Sequence, residues 1–271
     1  MSVDRLCAYY GFTRVPFGRD LPPASLFRSA AHQEAVARLV WLIDERGLGI
    51  LTGEVGAGKT VAARATVAAL EPSRHQVVYF PNPTAGSVGL LSMLVSALGG
   101  NPYFHRFMLL PQAAEALATA EAERGRRVVL IVDEAHLMAP HHLEDLRMLL
   151  SADMDSRSAA AMLLIGQPTL RRRLRQGIFA ALDQRVALRV HLDGMNLEET
   201  GSYIRHHLSL AGRTDTLFSD DAVAVLQQAA KGLPRAVNNL ALQALVATFG
   251  ANKSIVDEAA AKMAVVEVIG E

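Results

Sequence analysis

The sequence predicts an α/β fold, in which a parallel sheet is sandwiched by helices and is followed by a small all-helical domain. Short apolar segments alternate with segments of helical periodicity, as in sheets built from right-handed βαβ units. A glycine-rich loop separates the first such strand from the next helix. After Asp193 only helical patterns follow. We therefore expect an irregular N-terminal segment at residues 1–29, an α/β domain at 30–193 and a helical lid domain at 194–271.

Five short segments have the composition of buried strands. The segment at 128–132 contains only Val, Leu and Ile, which suits a strand covered on both faces of a parallel sheet. The predicted strands span residues 48–52, 76–80, 128–132, 161–165 and 186–192.

Helices are predicted where apolar residues recur every three or four positions. Ser219 is a suitable N-cap, because its side chain can accept a hydrogen bond from the first turn. Gly232 and Gly250 favour helix ends. The predicted helices span residues 30–46, 59–70, 87–98 and 111–124, a segment beginning at Pro140, and residues 198–210, 219–230, 234–249 and 256–268.

Composition excludes several classes of protein. Lys plus Arg and Asp plus Glu both number 27, so the chain does not coat nucleic acid by net charge alone. Cys7 is the single cysteine, which excludes an intrachain disulfide and fits a reducing compartment. Asp4 and Arg5 precede any apolar run, so we expect no secretory signal. No uncharged run has the composition of an apolar helix of about 20 residues, the length that spans a membrane. We therefore predict a cytoplasmic protein without membrane insertion.

The segment GEVGAGKT at 53–60 fits the phosphate-loop pattern G-x-x-x-x-G-K-[ST]. Glycines let the backbone fold around a phosphate chain with its N–H groups pointing inward. Lys59 supplies charge for the β- and γ-phosphates, and Thr60 supplies a hydroxyl for Mg²⁺. The predicted cofactors are therefore ATP and Mg²⁺. The predicted nucleotide-binding residues are Gly53, Glu54, Val55, Gly56, Ala57, Gly58, Lys59, Thr60 and Val61.

A second motif, VVLIVDEAH at 128–136, places two carboxylates at the end of an apolar strand. Asp133 is well placed there to hold Mg²⁺ together with Thr60. Glu134 can polarise a water for attack on the γ-phosphate. His136 completes a D-E-A-H string that helicases also carry, but the string is short and an ordinary turn histidine is the preferred interpretation.

Three further polar residues are predicted to sense or stabilise the γ-phosphate and complete the catalytic set with Lys59 and Glu134. Gln167 follows the fourth strand, where its side chain could reach the phosphate. Arg185 precedes the fifth strand and could project into a neighbouring subunit's site. Arg189 is the alternative, and the sequence does not separate the two. Arg235 opens a helix of the lid domain and could tie it to nucleotide state.

The densest basic run comprises four arginines of one short segment. A solvated helix face is the favoured interpretation, and phosphate contact with nucleic acid is the alternative. These residues are Arg171, Arg172, Arg173 and Arg175.

Together these motifs resemble AAA+ ATPases, and more closely the ExeA/GspA-type ATPases, related to the TniB and MuB transposition ATPases. The more telling strings are YYGFTRVPFGRD at 9–20, LFRSAAHQEAVARL at 26–39 and GLPRAVNNLA at 232–241, with GQP at 166–168 and DQRV at 183–186. The resemblance implies that residues 27–32 help to enclose the adenine and that Arg235 is the lid sensor. It also implies a homo-oligomeric ring or filament with ATP between neighbours.

Secretion-type members of this group are described by a membrane span and a peptidoglycan-binding region after the ATPase, and the sequence up to Glu271 contains neither. The resemblance then favours a stand-alone helper, which binds duplex DNA as an ATP-dependent oligomer and delivers a transposase to target sites. Two alternatives stay open. One is an ATPase for secretion or envelope assembly with separate membrane partners, and the other is a nucleotide-gated switch that captures a protein partner.

Overall fold

The computed structural model describes residues 3–18, 21–152 and 157–270. The chain forms two compact units. The α/β unit comprises His32–Glu54 and Lys59–Leu192. The helical unit comprises Met1–Ala31, Val55–Gly58 and Asp193–Glu271.

Helices occur in both units and are numbered in chain order. They are α1 Val3–Tyr10, α2 Ala30–Asp44, α3 Lys59–Ala69, α4 Gly86–Ala97, α5 Arg106–Arg124, α6 Pro140–Leu150, α7 Pro168–Leu174, α8 Ala180–Arg185, α9 Leu197–Leu210, α10 Asp220–Ala230, α11 Pro234–Gly250 and α12 Glu258–Ile269.

The α/β unit is built on a five-stranded parallel sheet, which confirms the predicted fold class. In chain order the strands are β1 Leu48–Gly53, β2 His75–Phe80, β3 Arg127–Val132, β4 Ser151–Ala152, β5 Arg157–Ser158, β6 Ala161–Gly166 and β7 Val186–Leu192. The order across the sheet is β2-β3-β6-β1-β7, and β4 and β5 form a separate antiparallel pair. β1 and β6 are buried at every position, because they lie inside the sheet. This burial on both faces explains why apolar runs identified these two strands.

The start of α5 differs from the prediction. The sequence places Pro111 at the helix start, but α5 begins at Arg106 and contains Pro111. A proline inside a helix cannot donate to the carbonyl four residues earlier. That carbonyl belongs to Phe107, whose side chain is 75% exposed, so this first turn lies at the surface where water can replace the missing donor.

The prediction of an irregular segment at 1–29 is wrong for the residues of α1. Tyr10 is 2% exposed, and its hydroxyl donates to the carbonyl oxygen of Leu245 at 2.9 Å. Leu6, Phe12 and Phe17 are also buried in the core of the helical unit. The aromatic N-terminal segment therefore packs with the C-terminal helices instead of standing alone.

Side-chain caps mark the starts of α9 and α10 in the helical unit. Ser219 accepts a hydrogen bond from the backbone N–H of Ala222, as its sequence position predicts. Asn196 and Glu199 form a reciprocal capping box at the start of α9. Within the described parts of the chain, no helix combines the length and the apolar character needed to span a membrane.

Candidate functional site

The carboxyl ends of β1, β3 and β6 lie side by side. In the parallel register Thr52 pairs with Gly166, and Val132 pairs with Leu164. The phosphate loop follows β1, Asp133 follows β3 and Gln167 follows β6. Ligands of open α/β sheets bind at such an edge, so the sheet brings three separated predicted site segments together.

Lys59 is held at the end of the phosphate loop as the first residue of α3. It is 8% exposed, and its Nζ donates to the carbonyl oxygens of Gly53 and Glu54, both at 2.9 Å. Gly56 and Gly58 have φ values of +86° and +91°, a backbone conformation that residues other than glycine rarely adopt. The loop thus delivers a buried ammonium group to the amino end of a helix, where an anion is favoured.

The tip of the loop contacts Arg235 within the helical unit. The backbone N–H of Arg235 donates to the carbonyl oxygen of Gly56 at 3.3 Å. A Cβ atom on Gly56 would lie 2.8 Å from the Cβ of Arg235. Glycine is therefore required at position 56 by its φ and by the close approach of Arg235. The Arg235 side chain is exposed and its Cβ lies next to the loop tip, while its sensor role stays a prediction.

Asp133 is the most heavily hydrogen-bonded acid of the site. It is 5% exposed. Its Oδ2 accepts from the Thr60 hydroxyl at 3.0 Å and from the Tyr79 hydroxyl at 2.9 Å, and its Oδ1 accepts from the Glu134 backbone N–H at 2.8 Å. A threonine hydroxyl and a carboxylate are oxygen ligands of the kind that Mg²⁺ takes. The two predicted metal ligands are thus in contact, and their chemistry fits Mg²⁺.

Tyr79 is a site residue that the sequence analysis missed. It lies on β2 opposite Ile131 of β3, two residues before Asp133. Tyr79 is 39% exposed, and its hydroxyl takes part in a part-buried hydrogen bond. Desolvation and the hydrogen bond to Asp133 raise the pKa of Tyr79, so the phenol keeps its proton and remains a donor. A hydroxyl-bearing residue near the end of the strand beside the carboxylates was the available signal.

Glu134 occupies a strained turn. Its φ of 51° and ψ of 31° lie in the left-handed region, which costs a residue with a side chain about 1–3 kcal/mol. Its side chain is 46% exposed, as contact with a water molecule requires. The Oε2 of Glu134 lies 3.3 Å from Nδ1 of the largely buried His136. His136 thus lies in the turn, as expected, and its ring also lies next to the predicted catalytic carboxylate.

Arg173 corrects the interpretation of the basic run. Its guanidinium donates to the carbonyl oxygens of His136 and Met138, the second at 2.7 Å. A solvated face is therefore wrong for Arg173, which is half-buried. Arg171, Arg172 and Arg175 are exposed on the same segment.

Gln167 lies between the ends of two motif strands. It follows β6, which pairs with β3 on one side and β1 on the other, and it is the N-cap residue of α7. It is half-buried. This position beside both the phosphate loop and Asp133 is compatible with its predicted contact to the γ-phosphate.

Arg185 and Arg189 lie far from the phosphate loop of their own chain. Val186 pairs with Leu48 and Leu192 pairs with Gly53, so Arg185 lies at the opposite edge of the sheet. At about 3.3 Å per residue this separates Arg185 from the loop by about 20 Å. Arg189 donates to the carbonyl and carboxylate oxygens of Asp183, both at 2.8 Å. A role of Arg185 in ATP hydrolysis thus requires a second subunit, and Arg189 is engaged within its own chain.

Phe27, the first residue of the predicted adenine enclosure, packs inside the helical unit. Its ring centroid lies 5.5 Å from that of Tyr203 and 5.7 Å from that of His206. Phe27 therefore packs against the aromatic side chains of α9. A contact of Phe27 with adenine stays a prediction.

Comparison with known proteins identifies the family. A family model described as an AAA domain matches residues 37–174, half of the chain. The chain belongs to the AAA domain family. This AAA domain protein is 32% identical over 265 residues to general secretion pathway protein A of Aeromonas hydrophila. The alignment covers 97% of this chain and 48% of that protein, so the chain spans about half the length of the curated relative that it matches.

Solved structures show the same fold. The AAA domain chain superimposes on Cdc6p of Pyrobaculum aerophilum with a TM-score of 0.68 and 15% identity, covering 89% of this chain and 67% of that one. For the Aeropyrum pernix ORC2 protein, in its ADPNP-ADP complexes, the TM-score is 0.67 and the identity is 17%, with 93% of this chain and 71% of that chain covered. For the Thermotoga maritima RuvB Holliday junction branch migration motor, the TM-score is 0.55 and the identity is 19%, with 87% of this chain and 68% of that chain covered. The resemblance to GspA is confirmed, while the relation to TniB and MuB stays a prediction.

Proposed function

We propose that the chain is a Mg²⁺-dependent ATPase. The observation that carries this proposal is the contact between the Thr60 hydroxyl and the buried Asp133 carboxylate, at the end of the strand beside the phosphate loop. Lys59 would bind the β- and γ-phosphates, and Thr60 and Asp133 would hold Mg²⁺. When bound, Mg²⁺ neutralises charge on the phosphate oxygens.

Glu134 is proposed to orient the water that attacks the γ-phosphate. Its exposed carboxylate can accept a proton from that water as the new P–O bond forms and the bond to the ADP oxygen breaks. Gln167 would position the γ-phosphate from the end of β6. Arg235 would report its presence to the helical unit, and Arg185 would stabilise charge in the site of a neighbouring subunit.

The test of this mechanism is the isosteric variant Glu134→Gln, with Lys59→Ala as a binding-defective control. We expect Glu134→Gln to bind ATP with unchanged affinity and to lower kcat by about 10²–10⁴-fold, the contribution of a positioned general base. Lys59→Ala should instead lose ATP affinity, because it removes the cation of the loop. Normal turnover by Glu134→Gln would refute the role of Glu134.

For the biological process, we infer that the chain serves secretion or cell-envelope assembly. The support is the 32% identity to general secretion pathway protein A in an alignment that covers 97% of this chain. The comparisons therefore favour the second of the functions that the sequence suggested over the transposase helper. A role with DNA stays a second candidate, because Arg171, Arg172 and Arg175 are exposed on one segment.

One experiment separates these two candidates. ATP hydrolysis would be measured with and without duplex DNA, at low and moderate salt, and the chain would be sedimented with peptidoglycan and with vesicles of bacterial lipids. Sedimentation with envelope components and no response to DNA would support the secretion candidate. Strong stimulation by DNA that fades as salt rises would support DNA binding instead, because phosphate contacts release counterions.

A further inference from the structure

We propose that Arg173 is a positioning residue for Glu134. It acts through the backbone of the turn at residues 134–138, which we call the glutamate turn. This inference rests on the proposed function, because it assigns Arg173 a part in the same hydrolysis step.

The geometry of the glutamate turn carries the inference. Glu134 precedes the 3₁₀ helix Ala135–Leu137 in a left-handed conformation. The Arg173 guanidinium donates through Nη1 to the carbonyl oxygen of His136 and through Nη2 to that of Met138. One planar group thus holds two carbonyls of the same turn, a bidentate contact that the single ammonium of lysine does not reproduce.

The surroundings of the glutamate turn leave little room for alternative conformations. Ala135 is fully buried and Met138 is 1% exposed. A Cβ atom on Gly166 would lie 3.3 Å from the backbone nitrogen of His136, so the end of β6 also packs against the turn. His136 in turn contacts Glu134 through its ring, at 3.3 Å. Arg173 therefore fixes the residue whose side chain lies against the catalytic carboxylate.

Arg173 also connects Glu134 with Gln167. Both Gln167, as N-cap, and Arg173 belong to the short helix α7. The backbone of one 7-residue helix thus joins the residue proposed to contact the γ-phosphate to the guanidinium that holds the glutamate turn.

The test compares Arg173→Ala and Arg173→Lys with Arg172→Ala, a matched control at an exposed position of the same helix. All are assayed without DNA, so the nucleic-acid contact considered for Arg172 does not enter the measurement. We expect Arg173→Ala to lower kcat by about 10–100-fold, because a shift of about 1 Å in a catalytic group costs about 10²-fold. Its affinity for ATP should change by less than about twofold, since the Arg173 guanidinium bonds to the glutamate turn and not to the phosphate loop. Arg173→Lys should recover part of kcat, and Arg172→Ala should leave it unchanged.

A readout independent of turnover is amide hydrogen exchange of the peptide containing residues 134–138 in the nucleotide-free protein. Exchange should be faster in Arg173→Ala than in the wild type and unchanged in Arg172→Ala. In the background Glu134→Gln, Arg173→Ala should cause no further loss of kcat, because both changes remove the same function. A multiplicative loss would show that Arg173 acts elsewhere.

The outcomes distinguish this inference from the proposed function. No ATP hydrolysis by the wild type, or full activity of Glu134→Gln, would overturn the proposed function. An active wild type and an inactive Glu134→Gln, together with unchanged kcat and exchange in Arg173→Ala, would overturn the role of Arg173 alone. Loss of ATP binding in both Arg173 variants would also overturn it, because the defect would then lie outside the glutamate turn.

Discussion

Replacing Tyr79 by phenylalanine would remove one hydroxyl group from the carboxylate proposed to hold Mg²⁺. That hydroxyl lies 2.9 Å from Oδ2 of Asp133, whose other donors are the Thr60 hydroxyl and the Glu134 backbone N–H. A hydrogen bond to a charged group contributes about 1.5–3 kcal/mol, which corresponds to about 10–150-fold in an equilibrium constant. Loss of a residue that orients a metal ligand costs about 10–100-fold in metal affinity, and the two magnitudes agree.

The assay is a Mg²⁺ titration of ATP binding, together with direct Mn²⁺ binding measured by electron paramagnetic resonance. Tyr79→Phe should raise the dissociation constants for Mg²⁺ and Mn²⁺ by about 10–100-fold. The affinity for ATP without metal should stay unchanged. Because burial and Asp133 raise the pKa of Tyr79, its hydroxyl remains protonated between pH 6 and 9, and the size of the defect should not vary over that interval.

Tyr103→Phe is the matched control, since Tyr103 is 51% exposed before α5 in the same unit. It should have no effect on the metal titration. Identical Mg²⁺ titrations of Tyr79→Phe and the wild type would refute the reasoning, because the carboxylate would then be oriented without the phenol.

Three further predictions test other parts of the chain. Gly232→Ala should lower the free energy of unfolding by about 3 kcal/mol or more in urea titrations, because its φ is +66° and a Cβ atom would lie 1.9 Å from the Met195 carbonyl oxygen. Burial lowers the pKa of His207 to about 4, so the folded state keeps it neutral while the unfolded chain takes up a proton below about pH 6.5. Stability should therefore fall by about 2 kcal/mol between pH 7 and pH 5, and His207→Gln should flatten that dependence; an equally steep fall in the variant would assign the effect to other groups. Mixing Arg185→Ala subunits with Lys59→Ala subunits should restore ATP hydrolysis if Arg185 acts across a subunit boundary, whereas a mixture as inactive as its components would contradict that role.

Each of the five predicted strands agrees with the structure to within one residue at both ends. The inner strands β1, β3 and β6 could be predicted because burial on both faces requires an unbroken apolar run. The edge strand β7 alternates buried and more exposed residues, the pattern of a strand covered mainly on one face. Helix α1 was not predicted, because it is short and its buried contacts are made with residues far away in the sequence. It has only 8 residues, and its buried Tyr10 hydroxyl bonds to Leu245 at a sequence separation of 235, which no local pattern reveals.

The bounds of the short helices α7 and α8 were not predicted, because both helices are too brief to show a period. They contain 7 and 6 residues, about two turns each. The arginines of α7 show the consequence. Arg172 and Arg173 are neighbours of the same type, yet the first is exposed and the second donates to two backbone carbonyls. Only the position of the glutamate turn relative to α7 distinguishes them, and that position depends on the packing of β3 beside β6.

The same distinction explains which site residues could be predicted. Lys59, Thr60, Asp133 and Glu134 are predicted to act on phosphates, metal and water, whose chemistry restricts the residue types that can serve. Tyr79 and Arg173 instead contact groups of the protein, and such contacts can be made by many residue types. The conformation of Glu134, a residue of the first group, is linked to Arg173, a residue of the second group, by two free-energy terms. Its left-handed backbone costs about 1–3 kcal/mol, while each hydrogen bond from a charged guanidinium contributes about 1.5–3 kcal/mol. The two bonds from Arg173 to the glutamate turn are thus of the size needed to offset that strain, and without them we expect the backbone of Glu134 to relax away from the conformation in which Glu134 is proposed to orient water.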